Sequence, residues 1–260
     1  MTAPPDAPRQ TRQVLGAPID AVTMAGAVAR IAGWAQRRES RVVCICNVHS
    51  VVTATQDPAF MRAIESADLA TPDGAPVAWM LRRQGVAAQV RVSGPDLMLD
   101  YCAHAAEQGE AIFLYGSTED TLSALQRQLL SRWPALRIAG ALSPPFRPTS
   151  ATEDDAGVQA INASGARTVW VSLGCPKQEL WMAAHRDRVH AVMVGVGAAF
   201  DFHAGAVARA PAWMREHGLE WLHRLASEPG RLGRRYVVTN TVFVVRAAWQ
   251  LAQARRVGSL

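Results

Sequence analysis

Residues 168–202, TVWVSLGCPKQELWMAAHRDRVHAVMVGVGAAFDF, decide the fold class of this 260-residue chain. Two continuous apolar runs, 168–173 and 191–196, flank a segment of helical character that opens with the polar residues 174–179. Continuous, β-branched runs of this length are typical of strands that are buried on both faces. A buried strand, a helix and a second buried strand in succession predict an α/β arrangement with parallel strands.

The same alternation extends toward the N-terminus. Strands are predicted at 41–46 (RVVCIC), 67–71, 111–115 and 136–140, and helices at 19–34, 50–65, 77–83, 97–108 and 153–164. The sequence therefore predicts an α/β fold, a Rossmann-like, mostly parallel sheet flanked by helices, with an Arg/Trp-rich helical C-terminal appendage.

Polar motifs follow five of the predicted strands. They are NVH at 47–49, TPDG at 71–74, YGSTED at 115–120, GCPKQE at 174–179 and GAAFDF at 197–202. Ligands of parallel α/β sheets bind beyond the carboxyl ends of the strands. We therefore expect the functional site along this edge.

Asp73 is the candidate general base at this edge. Pro72 fixes the approach of the chain and Gly74 permits a sharp exit, so the carboxylate is presented at a strand end. Ordinary turn chemistry explains the tetrapeptide equally well. In the GCPKQE segment, Lys177 and Gln178 stand at a predicted helix start, which suits either an anion site or a capped surface helix.

The usual cofactor and metal fingerprints are missing from the sequence. Gly195 and Gly197 begin a dinucleotide-like pattern, but Phe200 stands where its third glycine belongs, and no Walker sequence is present. The histidines lack ligand spacing and no Asp-x-Asp pair follows a strand, so we expect a site without metal or cofactor. The four cysteines include no C-x-x-C pair, which suits a reducing compartment.

The basic residues are concentrated at the C-terminal end. Residues 209–260 carry nine arginines against three glutamates, a local charge of +6, whereas the whole chain carries +5. Trp213 and Trp221 lie among these arginines, and three of the arginines surround a predicted Pro229–Gly230 turn. The pattern favours a surface that binds phosphates or an anionic membrane over a solvated helix face whose arginine stems cover aromatic rings.

These observations divide the chain into three parts. Residues 1–16 are predicted to be a disordered leader, 17–208 the α/β catalytic domain, and 209–260 a helical appendage that closes the site and contacts the membrane. We expect the α/β domain to fold without the appendage. The leader lacks the apolar core of a signal peptide, and no run approaches the ~20 apolar residues that span a bilayer, so a soluble or peripheral protein is expected.

In order along the chain, the motifs resemble those of the WecG/TagA/CpsF glycosyltransferases. The resemblance covers 19–236, includes GumM-type members of exopolysaccharide pathways, and is carried by NVH, ADLxTPDG, RVSGPDL, FLYG, GCPKQE, GxGAxFDFxAG and RAPxWM…GLEWLxRL…EPxR…RRY. It implies inverting transfer of a sugar from a UDP-sugar to a polyprenyl-diphosphate-linked saccharide, in cell-surface or exopolysaccharide synthesis. The protein would act in the cytoplasm, peripherally on the inner face of the cell membrane.

The resemblance also assigns residues to roles. Asp73 matches the proposed base. Sugar-nucleotide binding is implied for Asn47, Arg91, Gln178 and Asp201, with Thr71 and Gly74 beside the base, and closure over the donor for Arg209, Arg215, Arg224, Arg231, Arg234 and Arg235. One position departs from the pattern, because many members carry Thr where this chain has Ile45. The donor sugar (glucose, N-acetylmannosamine or a uronic acid) is therefore left open, as is homo-oligomerisation.

Physical reasoning agrees with that chemistry. A single displacement needs one base for the acceptor proton. Where no metal is bound, arginines can neutralise the departing diphosphate, because they are permanently charged and bind phosphate bidentately.

Two alternatives remain at this stage. The pI of about 9.5 suggests a non-catalytic nucleic-acid-binding protein, but the basic residues lie at one end and no nucleic-acid motif is recognised. A soluble enzyme that modifies sugar nucleotides would instead act without any lipid acceptor.

Overall fold

The computed structural model describes residues 8–227 and 229–257, without the side chains of 215, 216, 224, 229, 231, 232, 234, 235 and 255–257. Its strands are β1 Thr11–Val14, β2 Ala17–Asp20, β3 Arg41–Cys46, β4 Leu69–Pro72, β5 Ala111–Gly116, β6 Arg137–Leu142, β7 Thr168–Ser172 and β8 Val192–Gly195. Strands β3 to β8 form one sheet in the order β4-β3-β8-β7-β5-β6, and every neighbouring pair is parallel. The predicted Rossmann-like α/β fold is confirmed.

Helices cover both faces of this sheet. They are α1 Met24–Gln36, α2 Val48–Ala54, α3 Pro58–Ser66, α4 Ala75–Arg83, α5 Gly94–Gln108, α6 Glu119–Arg132, α7 Ala151–Ser164, α8 Lys177–Ala184, α9 Ala199–His203, α10 Ala212–Glu216, α11 Glu220–Ser227 and α12 Pro229–Val257. On β3, Cys44 belongs to the core on one face of the sheet, and Val43 and Ile45 to the core on the other. Burial on both faces explains why RVVCIC is apolar without alternation.

Part of the predicted leader is ordered, so the prediction of disorder over 1–16 is wrong for residues 11–16. Strand β1 pairs antiparallel with β2, and Val14 faces Ala17 across a two-residue turn. Leu15 and Gly16 both have positive φ, 52° and 91°, as the hairpin turn whose twist matches the strands requires. Asn-Gly and Asp-Gly are the usual sequence signals for such a turn, and this chain has Leu15-Gly16 instead. Leucine rarely adopts a positive φ, so the sequence did not indicate the hairpin.

Two predicted helices also have different limits. The segment 19–34 contains the end of β2 and most of α1 rather than one helix. The segment 50–65 is divided between α2 and α3, because Asp57 caps a new helix by accepting hydrogen bonds from the backbone N–H groups of Ala59 (2.9 Å) and Phe60 (3.2 Å).

The C-terminal helix is more closely joined to the core than predicted. Phe243 and Ala247 of α12 are 4% and 3% exposed and belong to the core that includes α2. Gln250 accepts a hydrogen bond from the backbone N–H of Leu15 at 3.0 Å and donates one to the carbonyl of Gln13 at 2.6 Å. A cut after residue 208 would uncover these surfaces. The expectation that the α/β domain folds without the appendage stays a prediction, and these contacts indicate that such a core would be less stable than the whole chain.

This packing predicts a large loss of stability for Phe243→Ala. Removing a buried phenyl ring should lower the free energy of unfolding by about 3–5 kcal/mol, measured by urea denaturation. Val245 is 63% exposed on the same helix, so Val245→Ala serves as the control and should change stability by less than about 0.5 kcal/mol. Equal, small losses for the two variants would show that α12 does not pack as described.

Two further features concern the C-terminal appendage, residues 209–260, which is called the tail below. Pro229 and Gly230 lie in the first turn of α12 rather than in the predicted turn between elements, because proline is readily accommodated at the start of a helix. Within the described part of the chain, no helix has an apolar stretch long enough to cross a membrane.

Candidate functional site

Asp73 lies at the carboxyl edge of the sheet, beside Asn47. Cys46 pairs with Pro72 in the parallel register of β3 and β4, so the next residues leave the two strands together. The backbone N–H of Asp73 donates to the carbonyl of Cys46 at 3.0 Å. Gly74 follows with φ 81° as the N-cap of α4, a conformation that favours glycine. The turn thus holds the partly buried carboxylate of Asp73 at a fixed position.

The surroundings of Asp73 raise its pKa to about 6. Burial contributes most, and the negative charges of Glu220 and Asp96 act in the same direction, while Arg91 and the N–H of Gly74 oppose them. A carboxylate with this pKa is mostly ionised at pH 7 and binds a proton more strongly than an ordinary aspartate does. Both properties suit a general base.

Four charged residues form a cluster near Asp73, called here the charge cluster: Arg91, Asp96, Arg209 and Glu220. Arg91 lies 2.9 Å from Glu220 Oε2 and 3.6 Å from Asp96 Oδ2. Arg209 lies 2.8 Å from Asp96 Oδ1 and 3.5 Å from Glu220 Oε1. Each arginine therefore contacts both acids, and the cluster joins the start of α5 to the start of α11.

The backbone of the tail also approaches the Asp73 turn directly. A Cβ atom on Gly218 would lie 2.6 Å from the Cβ of Ala75, the first residue of α4. Gly218 also has a φ of 72°. Only glycine fits this close approach without displacement of the backbone. The segment between α10 and α11 thus packs against the helix that Asp73 precedes.

Thr71 is fully buried, and its hydroxyl donates to the carbonyl of Val92 at 3.2 Å. In return, the N–H of Val92 donates to the carbonyl of Pro72 at 2.8 Å. These two bonds hold the segment that carries Arg91 against the end of β4. The described contact of Thr71 is therefore structural, and its proposed part in substrate binding stays a prediction.

Gln178 is likewise committed to contacts inside the protein. It is 4% exposed, and its Oε1 accepts a hydrogen bond from the N–H of Gly197 at 3.1 Å. Its Nε2 donates to Glu179 Oε1 at 2.9 Å. A Cβ on Gly195 would lie 3.1 Å from that same nitrogen. Gln178 thus fixes the turn after β8, which leads to Asp201.

Asn47 and Asp201 occupy helical positions beyond the strand ends. Asn47 is the N-cap of α2, where its Oδ1 accepts from the N–H of Ser50 at 3.1 Å. Asp201 lies in α9 and is partly buried, and its carbonyl accepts from the N–H groups of Ala206 (3.0 Å) and Val207 (3.2 Å). Sugar-nucleotide binding by these two residues stays a prediction.

Six tail arginines were assigned to closure by the resemblance, and five of them have side chains outside the described residues: Arg215, Arg224, Arg231, Arg234 and Arg235. The sixth, Arg209, lies in the charge cluster. The spacing of residues 231, 234 and 235 in the first turns of α12 puts them on one face of the helix. Their contact with a diphosphate stays a prediction.

Ile45, at the position where the resemblance leads us to expect Thr, is 7% exposed in the core on the α1 and α5 side of the sheet. Its side chain offers no hydrogen bond to a sugar.

Two acidic residues of the site region, Asp96 and Glu220, were not singled out from the sequence, whereas Glu179 was noted with Lys177 and Gln178 at a predicted helix start. Ser93 and Arg209 bond to Asp96, and although burial raises the pKa of Asp96, these bonds leave that pKa lowered. Burial raises the pKa of Glu179 to about 7. The sequence did carry a signal for both acids of the charge cluster. Asp96 lies in the RVSGPDL motif and Glu220 in the GLEWLxRL motif, and Glu220 is one of three acids in the tail.

Among the described residues, no group of three or more His, Cys, Asp or Glu side chains is arranged to hold a metal ion. In this part of the chain, the positive charge that acts on Asp73 comes from Arg91, and Arg209 joins Arg91 in the charge cluster through Asp96 and Glu220.

A family model described as the glycosyl transferase WecG/TagA/CpsF family matches residues 12–257. The chain belongs to this family. The match extends from β1 to the end of α12, so it includes both the hairpin and the tail. Membership identifies a glycosyltransferase of cell-surface polysaccharide synthesis, which disfavours the nucleic-acid-binding alternative.

Proposed function

We propose that this glycosyltransferase moves a sugar, with inversion and without a metal ion, from a UDP-sugar to a polyprenyl-diphosphate-linked saccharide. The observation that carries the proposal is the position of Asp73, a carboxylate with a pKa of about 6 at a strand end beside Arg91. One base and adjacent arginines are what a single displacement at a sugar diphosphate needs.

The step follows from these positions. Asp73 takes the proton from the acceptor hydroxyl as that oxygen forms a bond to the anomeric carbon of the donor. The bond between the anomeric carbon and the diphosphate oxygen breaks, and UDP leaves with the electron pair. Attack from the face opposite the leaving group inverts the configuration. Arg91 and Arg209 supply positive charge for the departing diphosphate, and the arginines of α12 are proposed to add to it.

The lipid-linked acceptor agrees with the surface of the tail. Exposed apolar side chains occur in three successive helices of the tail: Trp213 in α10, Trp221 and Leu222 in α11, and Val244, Val245 and Trp249 in α12. Aromatic and aliphatic side chains beside arginines suit the interface of an anionic membrane. We therefore propose peripheral binding to the inner face of the cell membrane, with salt weakening it.

Turnover is expected to survive EDTA, because arginines rather than a divalent ion are proposed to neutralise the leaving group. The measurement compares UDP release with and without EDTA, and then after addition of Mg²⁺ or Mn²⁺. Complete loss in EDTA with rescue by either ion would contradict the metal-independent mechanism.

A donor screen tests the proposal. Several UDP-sugars are offered with lipid-diphosphate mono- and disaccharide acceptors, and with no acceptor at all. Activity without any acceptor would instead support the soluble sugar-nucleotide-modifying enzyme. Thermal shift with UDP and with DNA separates the nucleic-acid alternative, since a ligand at 100 times its Kd stabilises by about 2.7 kcal/mol.

A further inference from the structure

Glu220 brings an acidic side chain of the tail into the charge cluster. It is the first residue of α11, yet its carboxylate lies 2.9 Å from Arg91 and 3.5 Å from Arg209, 129 and 11 positions away in the chain. Its side chain is 18% exposed. An acid from the tail therefore bridges the two arginines of the charge cluster, as Asp96 does from α5.

We propose that Glu220 is an internal substitute for the donor diphosphate, a positioning residue that the diphosphate displaces from Arg91 and Arg209. The identity of the displacing anion rests on the proposed function. Asp96 would keep its own contact with Arg209, so the second acid of the cluster holds that arginine in place during the exchange.

The hydrogen bonding of Arg209 supports an exchangeable contact. Among the described residues, its buried Nη2 atom has no hydrogen-bond partner, and its Nε atom has only the long 3.5 Å contact with Glu220 Oε1. Unused guanidinium donors in a buried position are costly unless a ligand completes them. A diphosphate offers more acceptor oxygens and more negative charge than one carboxylate, so it can satisfy donors that Glu220 leaves unused.

The same carboxylate acts on the base. Among the residues that the structure describes, the charged groups that act on Asp73 are Glu220 from α11, Arg91 from the segment before α5 and Asp96 from α5, and Arg209 is linked to it through the two acids. After burial, Glu220 is the largest contribution that raises the pKa of Asp73. Removal of the Glu220 charge should therefore lower that pKa. In the free enzyme, Glu220 thus holds the diphosphate subsite and keeps Asp73 ready to accept a proton.

Glu220→Gln tests the proposal with inorganic pyrophosphate, which carries the diphosphate without base or sugar. The variant should bind pyrophosphate about 5–10-fold more tightly than the wild type in calorimetry, since no internal anion has to be displaced. Glu220→Asp, which keeps the charge, should bind nearly as the wild type does. Glu107→Gln removes a charge at an exposed position of α5 and is the matched control.

The pH profile of transfer supplies a second readout. The acid limb of kcat/KM reports the base in the free enzyme, and in Glu220→Gln it should move to lower pH by about half to one unit. Glu220→Ala is made in parallel, so that a variant lacking the charge is available even if the glutamine variant melts early.

The outcomes separate this inference from the proposed function. Pyrophosphate affinity and an acid limb that are unchanged in both uncharged variants, while the wild type still transfers from a UDP-sugar, would overturn the role of Glu220 alone. Weaker pyrophosphate binding in those variants would overturn it as well, because Glu220 would then support the subsite rather than compete for it. A wild type that binds neither UDP nor pyrophosphate would overturn both.

Discussion

Replacement of Asp73 by Asn is expected to abolish sugar transfer while the affinity for UDP stays within a few-fold of the wild type. Asparagine has nearly the same shape but cannot accept the acceptor proton, and loss of a general base typically costs about 10²–10⁴ in rate. The carboxylate does not hold the diphosphate in this account, so calorimetry with UDP should change little. Turnover is measured as UDP release in the presence of the lipid acceptor.

The matched control is Asp120→Asn. Asp120 lies at the same edge of the sheet but is exposed in the first turn of α6, and its loss should leave turnover unchanged. The wild type should also lose activity as the pH falls through about 6, because the pKa of Asp73 is raised to about 6 and only the ionised form accepts a proton. Near-normal turnover of Asp73→Asn would remove Asp73 as the base.

The second large effect is expected from replacing Arg231, Arg234 and Arg235 together by Gln. These residues share one face at the start of α12, and we propose that they bind the leaving diphosphate. Loss of preorganised positive charge of this kind should lower turnover by about 10²–10³. The melting temperature should fall only slightly, because the buried contacts of α12 lie further along the helix, at Phe243 and Ala247.

A single exposed arginine on the same helix controls for the change of charge. Arg246→Gln should keep turnover close to that of the wild type, since residue 246 lies three turns or more beyond the triplet and is exposed. Wild-type turnover in the triple variant would show that the triplet forms only a solvated helix face.

Much of the fold could be predicted because its signals are local. The runs RVVCIC, TVWVSL and AVMVGV are continuous and apolar since β3, β7 and β8 are covered on both faces. The β1–β2 hairpin could not, because Leu15 adopts a positive φ that its type does not favour. The buried face of α12 was also missed, because Phe243 and Ala247 stand among exposed valines and arginines and their partner α2 is distant in sequence.

The candidate site was predictable to the extent that it depends on strand ends. Asp73 and Asn47 lie together because adjacent parallel strands end at one edge. The bridge between Arg91 and Glu220 joins residues 129 positions apart, and no local pattern marks such a pair. For Gln178 the motif identified the residue, but the sequence did not indicate that its side chain forms hydrogen bonds with Gly197 and Glu179 inside the protein.

The most direct test of the central claim is the anomeric configuration of the product. A donor that proves active in the screen is incubated with a polyprenyl-diphosphate saccharide, and the new linkage is followed by proton NMR. Inversion relative to the UDP-sugar, formed by the wild type and not by Asp73→Asn, is the predicted result, because Asp73 is the single base of one displacement. A product with retained configuration, or equal product from Asp73→Asn, would contradict the account.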